Sequence, residues 1–172
     1  IYIGNGFRFG EGAWEIHSNV FFHNQGGESF ETAQEEFGLQ DFNNTPSYVA
    51  LDFDFDGDLD IIATGPLSPP RVFVNQQAAN NAISIAINDS QGNYFGVGAK
   101  VTIHYTANGE TRSQLRELKA SGGYMSFDAP IAHFGLGDLD SVSSVEVDWS
   151  NGGKTIINEE FTAGHHYVVT RE

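Results

Sequence analysis

The chain has 172 residues, no cysteine and a formal charge of −15, from 23 acidic against 8 basic side chains. A field of that sign repels phosphate backbones and anionic lipid, so nucleic acid and membrane surfaces are poor partners, and it attracts cations. Without thiols there is neither a disulfide scaffold nor a Cys-ligated metal, and no apolar run approaches the roughly 20 residues that span a bilayer.

Hydrophobic residues at 40%, 14 Phe and 20 Gly predict strands and tight turns around a packed core. Ile1–Trp14 reads as one or two short strands around Gly4, Gly6, Gly10 and Gly12; the start at Ile1 fits loss of a signal peptide. Asn19–Asn24 reads as a strand and Gln25–Ser29 as a turn. Thr32 and Glu35 have capping-box spacing and Gly38 supplies a stop, which predicts one short helix. Tyr48–Asp52 and Leu59–Thr64 are strands flanking an acidic loop. Gly65–Pro70 is too proline-rich to continue a ladder, and Arg71–Asn75 resumes as a strand.

Gln76–Asn81 is polar, small and aperiodic, and divides the chain into modules 1–77 and 78–172. The second module is a run of strands: Ile83–Ile87, Ala99–Thr106, Thr111–Lys119, Val142–Trp149, Lys154–Ile157 and His166–Thr170. Asn108-Gly109 is a strong hairpin turn, and Asn151-Gly152-Gly153 is another. The expected fold is all-β: one unit with a hairpin loop and a short helix, then an antiparallel sandwich or barrel-like module.

The acidic loop carries the chemistry. Asp52-Phe53-Asp54-Phe55-Asp56-Gly57-Asp58-Leu59-Asp60 reads D-x-D-x-D-G-D-x-D. Calcium takes six to eight oxygen ligands, and alternate Asp residues converge on one point when the chain curls, with Gly57 permitting the sharp turn. Asp52, Asp54, Asp56 and Asp60 are the expected carboxylate ligands, with the carbonyl of Asp58 completing the shell. An EF-hand fails here: its twelfth position needs a bidentate Glu and holds Ala63, and its flanks should be helices. A bare acidic turn would set five carboxylates against one another at about 1–4 kcal/mol per close pair, which a cation relieves. Magnesium prefers fewer carboxylates and more water.

Val20–Leu39, Tyr48–Ala63 and Arg71–Asn75 together resemble a VCBS/FG-GAP repeat, the unit of integrin-type propellers. The resemblance implies the same calcium ligands in a β-hairpin. Gly96–Val101, Ser121–Ser126, His133–Gly137 (HFGLG) and Ser144–Trp149 resemble an ASPIC/UnbV domain. Together these imply a calcium-bound extracellular or cell-surface module for adhesion or assembly. Only one complete acidic loop is present, too few to close a propeller.

Elsewhere the residues point away from catalysis. His17, His23, His104, His133, His165 and His166 show no zinc spacing, and His165 and His166 project to opposite faces of a strand. His133, inside HFGLG, is expected to pack or hydrogen-bond. No nucleophile elbow, phosphate loop or dinucleotide fingerprint occurs. Asn43-Asn44-Thr45 and Asn88-Asp89-Ser90 are glycosylation sequons in turn-like surroundings. Arg112 and Arg116 share one strand face, suited to a neighbour's acidic patch, and Ile1-Tyr2-Ile3 suits strand addition to a second copy. The expectation is a secreted, non-enzymatic, calcium-binding structural subunit that assembles with copies of itself; the alternative is a calcium-dependent glycan-binding or adhesion module.

Overall fold

The computed structural model describes residues 1–5, 18–66, 68–76 and 81–171. Most of the expected N-terminal strand and turn region, His17 and most of the 76–81 boundary lie outside the described residues. The described residues are all-β, with fifteen strands and no helix. Two compact units form: residues 1–50, 60–75 and 123–127, and residues 51–59, 76–122 and 128–172.

The first unit holds two three-stranded sheets. In one, β1 (Tyr2–Ile3), β2 (Val20–Asn24) and β3 (Phe30–Thr32) lie in that order; in the other, β4 (Ser47–Leu51), β5 (Asp60–Gly65) and β6 (Ser68–Phe73). The expected helix is absent. Thr32 instead ends β3, opposite Phe22, and the chain then makes a single turn from Ala33 O to Phe37 N at 3.1 Å. Gly38 (φ 67°) closes that turn at once, through Gly38 N to Glu35 O at 3.3 Å and Leu39 N to Gln34 O at 2.8 Å. This is a Schellman stop, so the C-terminal signal was real, but one turn between start and stop is too short for a helix. The two prolines also depart from expectation. Pro69 and Pro70 lie inside β6, because β6 is an edge strand and its register with β5 shifts between Ala63 and Gly65, where missing donors cost little.

A polar network lies at the heart of this unit. Asn19, Asp41 and Thr45 are buried, and Asn19 Nδ2 donates to Tyr2 Oη at 2.7 Å and to Asp41 Oδ2 at 3.4 Å. Arg71 closes it: Nε and Nη2 reach Asp41 Oδ2 at 2.7 and 2.6 Å, and Nη2 reaches Thr45 Oγ1 at 2.8 Å. Burial by itself raises the Asp41 pKa, yet hydrogen bonds from Asn43 and the Arg71 charge outweigh it and hold the carboxyl below its ordinary 3.8. Tyr2 goes the other way, its hydroxyl pKa pushed up chiefly by burial.

The second unit is built on apolar side chains. One sheet runs β10 (Ile131–Gly137), β7 (Asn81–Asp89), β15 (His165–Arg171); the other runs β13 (Lys154–Ile157), β12 (Ser144–Asp148), β8 (Lys100–Ala107), β9 (Glu110–Glu117). β11 (Ser141–Val142) and β14 (Phe161–Thr162) form a small third pair. The alternation read from Val142–Trp149 holds: Val145 and Val147 are fully buried, while Glu146 and Asp148 lie on the other face. Asn108 (φ 55°) and Gly109 (φ 78°) make the expected hairpin turn from β8 to β9. One pairing differs from the antiparallel expectation, since β15 runs parallel to β7, from His165 opposite Ile83 to Arg171 opposite Asp89. Alternating patterns fix which face is buried and are blind to strand direction.

Side chains join the two larger sheets at both margins. Between β9 and β10, Gln114 Nε2 donates to Gly135 O at 2.9 Å and Arg116 Nε to His133 O at 3.1 Å, with the Arg116 guanidinium 5.2 Å from the centre of the buried Phe134 ring. At the other margin Arg171, on β15, donates to Asn151 Oδ1 and, at 3.0 Å, to Gly152 O in the turn between β12 and β13. Its guanidinium stacks 5.3 Å from the Trp149 ring centre. Each margin is thus sutured by an arginine laid on a buried aromatic ring.

Candidate metal centre

The nine residues Asp52–Asp60 connect β4 to β5, and two local features curl them. Gly57 sits at φ 95°, where a side chain would be strained, and Phe55 adopts φ 63° with its ring almost wholly in solvent. A non-glycine residue in that region costs of order 1–3 kcal/mol and persists only when its surroundings over-determine it. The curl brings together one carboxylate oxygen from each of Asp52, Asp54 and Asp60, all within 4.8 Å of one another. Oxygens bonded to one calcium at roughly 2.3–2.6 Å lie no more than about 5 Å apart, so the three fit a common ion.

Hydrogen bonds within and beside the loop hold these carboxylates in place. Asp56 Oδ1 accepts from Asp58 N at 2.9 Å, and Gly57 N donates to Asp52 Oδ2 at 3.1 Å, so the loop braces itself. Asp60, fully buried, accepts from Asn75 N at 2.7 Å through Oδ1. Asp52 Oδ1 is buried and has no hydrogen-bond partner. A buried carboxylate oxygen without a donor costs more than a typical hydrogen bond contributes, and a cation is the partner this geometry suits. Among the described residues, Asp52, Asp54 and Asp60 form the one cluster of three or more acidic, His or Cys side chains with metal-ligand spacing. Of the five Asp read from the sequence, three therefore converge directly; Asp56 and Asp58 shape the turn.

The other singled-out residues scatter. Ile1–Ile3 are not left free for a neighbour along their inner edge: Tyr2 pairs with Phe21 and Ile3 with Val20, and the terminal amine donates to Phe22 O at 2.8 Å. Arg116 is engaged at the β9–β10 margin, while Arg112 makes an exposed ion pair with Glu110 at 3.4 Å. Asn43 is exposed, but its Nδ2 donates to Asp41 Oδ1 at 2.7 Å and its sequon partner Thr45 is fully buried. Asn88 stands within β7, opposite Thr170, and not in a turn.

Sequence reasoning missed two things. The Asn19–Asp41–Thr45–Arg71 network gave no signal, because single polar residues far apart in the chain have no period. The reach of His133 was also invisible: its Nε2 lies 2.8 Å from Gly57 O, so the hydrogen-bonding role expected for the HFGLG histidine is directed at the acidic loop.

Among the described residues, no helix is long and apolar enough to cross a membrane. Curated relatives align with part of the chain. Cartilage acidic protein 1 from Homo sapiens is 38% identical over 107 residues, covering 60% of this chain and 16% of that protein. The Mus musculus protein is 35% identical over 121 residues, covering 67% of this chain and 18% of its own length. The Xenopus tropicalis protein is 38% identical over 107 residues. The alignments thus span under a fifth of the human and mouse proteins. The ASPIC and UnbV family profile matches residues 89–172, which take in most of the second unit and the HFGLG and SVEVDW motifs. Residues 89–172 are an ASPIC and UnbV domain.

Proposed function

We propose that this chain is a calcium-binding, non-enzymatic structural module of an extracellular protein, its ion held in the β4–β5 loop by Asp52, Asp54 and Asp60. The observation that carries this reading is the convergence of the Asp52, Asp54 and Asp60 carboxylates, together with a buried, unpartnered oxygen on Asp52. The β-strand flanks and the D-x-D-x-D-G-D-x-D order favour a VCBS/FG-GAP-type hairpin over an EF-hand. The alignment with proteins named for cartilage supports an extracellular setting.

In this role the ion neutralises mutually repelling carboxylates and ties the loop to Asp60 at the start of β5. Three carboxylates and the loop's backbone oxygens can supply most of a calcium shell, which suits a structural ion. Self-association through β1 is the weaker form of the reading, because β1 already pairs with β2 and Arg116 is engaged with β10. Titrating calcium into chelated protein by calorimetry tests the proposal. One binding event, lost in Asp54→Ala, is expected; no heat and no melting shift in the wild type would sink it. Turnover of ester, phosphate or glycoside substrates, abolished by a single acid or His substitution, would overturn the non-enzymatic part.

A further inference from the structure

We infer that His133 is a positioning residue for the cation loop: it clamps the Gly57–Asp58 peptide and so makes calcium affinity depend on strand β10 of the ASPIC and UnbV domain. This rests on the calcium reading above and adds a residue from another part of the chain. Gly57 and His133 both belong to the second unit, 76 positions apart in sequence.

The clamp acts on one planar group. Gly57 C=O and Asp58 N–H belong to the same peptide unit, whose atoms lie in a plane. One end of that plane meets His133 Nε2 at 2.8 Å, and the other donates to Asp56 Oδ1 at 2.9 Å. Since a carbonyl only accepts, Nε2 carries the hydrogen. With both ends fixed, rotation of the 57–58 peptide is blocked. That rotation is the motion that would pull the Asp58 N–H away from the Asp56 carboxylate, and Gly57, free of a Cβ and at φ 95°, would otherwise allow it. The next amide back, Gly57 N, braces Asp52 Oδ2. A fixed Gly57 therefore also fixes the carboxylate whose other oxygen lacks a partner.

The clamp is itself rigid. His133 sits in β10 opposite Ser84 of β7, and its carbonyl accepts from Arg116 Nε at 3.1 Å. The neighbouring Phe134 is fully buried under the Arg116 guanidinium. An imidazole on such a strand ordered before the ion arrives reduces the ordering cost of binding, which is how preorganisation raises affinity. By linkage the coupling is reciprocal, so calcium must tighten the His133–Gly57 bond by as much as that bond tightens calcium.

The test uses the full chain and calcium as the probe. Calorimetric titration of wild type, His133→Gln and His133→Leu is expected to show His133→Leu weakened about 3- to 10-fold, the worth of one ordinary hydrogen bond. His133→Gln, whose amide can donate in place of Nε2, should stay within about twofold of wild type. Imidazole nitrogen NMR of wild type covers the case in which His133→Leu does not fold: the His133 ε2 signal should shift with the same midpoint as calcium binding. A folded His133→Leu with wild-type affinity, or a His133 signal indifferent to calcium, would overturn this inference while leaving the calcium reading intact. A wild type that binds no calcium would overturn both.

Discussion

The two units solve burial differently. In the second, the buried set is mostly apolar: Phe134, Ile83, Ile85, Ile103, Val101, Val145 and Val147 interdigitate from two sheets, with Asp89 and Thr102 as buried polar exceptions. Among the described residues of the first, the most buried large side chains are Asn19, Thr45 and Asp60, with Asp41 beside them. Apolar burial is non-directional and persists across pH and salt, whereas a buried polar network is stabilising only while each partner is present and correctly charged. The polar network of the first unit should therefore respond to proton concentration and the apolar core of the second largely should not, while the cation response belongs to the Asp52–Asp60 loop.

The apolar unit is the more vulnerable to a single truncation. Phe134→Ala should cost about 3–5 kcal/mol, since it empties the core and removes the surface on which Arg116 lies. Denaturant unfolding read through exchange of β7 and β10 amides measures this. A loss below about 1 kcal/mol would show that the core repacks.

In the polar unit Asp41→Ala strips Arg71, Asn19 and Thr45 of a shared acceptor. Breaking a fully buried pair costs about 3–5 kcal/mol; Arg71 keeps some solvent access, so about 2–3 kcal/mol is expected. The same residue sets an acid response. Its folded pKa is depressed, so its contribution is complete well above 3.8 and lost as pH falls through the lower folded value. In chelated protein, β2 and β6 amides should lose protection below pH 3.8 before those of β8 and β12. Simultaneous loss would show that Asp41 does not govern the first unit.

Calcium should act more gently. Extracellular sites bind at about 10⁻⁴–10⁻³ M, and tenfold excess over such a constant adds about 1.4 kcal/mol. Chelator should lower the melting temperature of wild type and leave Asp54→Ala unmoved. At the bottom of the scale, Arg112→Ala removes only an exposed ion pair with Glu110 and should change stability by less than about 0.5 kcal/mol. A larger loss, especially a concentration-dependent one, would restore the basic strand face as a contact for second copies.

The features legible in the chain before folding are those that local chemistry dictates. Alternation placed Val145 and Val147 inward, Asn108-Gly109 made its hairpin, and the spacing of acids around Gly57 marked a loop whose Asp52, Asp54 and Asp60 converge. Each of these rests on a period, a turn residue or a ligand interval contained within a few residues. The rest was settled by packing between segments distant in the chain. Whether Thr32 starts a helix or ends a strand depended on the partner Phe22, ten residues earlier. Pro69 and Pro70 were admitted to β6 because that strand is an edge, which no window of sequence reveals. The parallel run of β15 beside β7, the Arg71 charge beneath Asp41 and the His133 imidazole on Gly57 join groups 30 to 82 positions apart. Such pairings carry no local pattern, because the energy that selects them is realised only once the surrounding chain has packed.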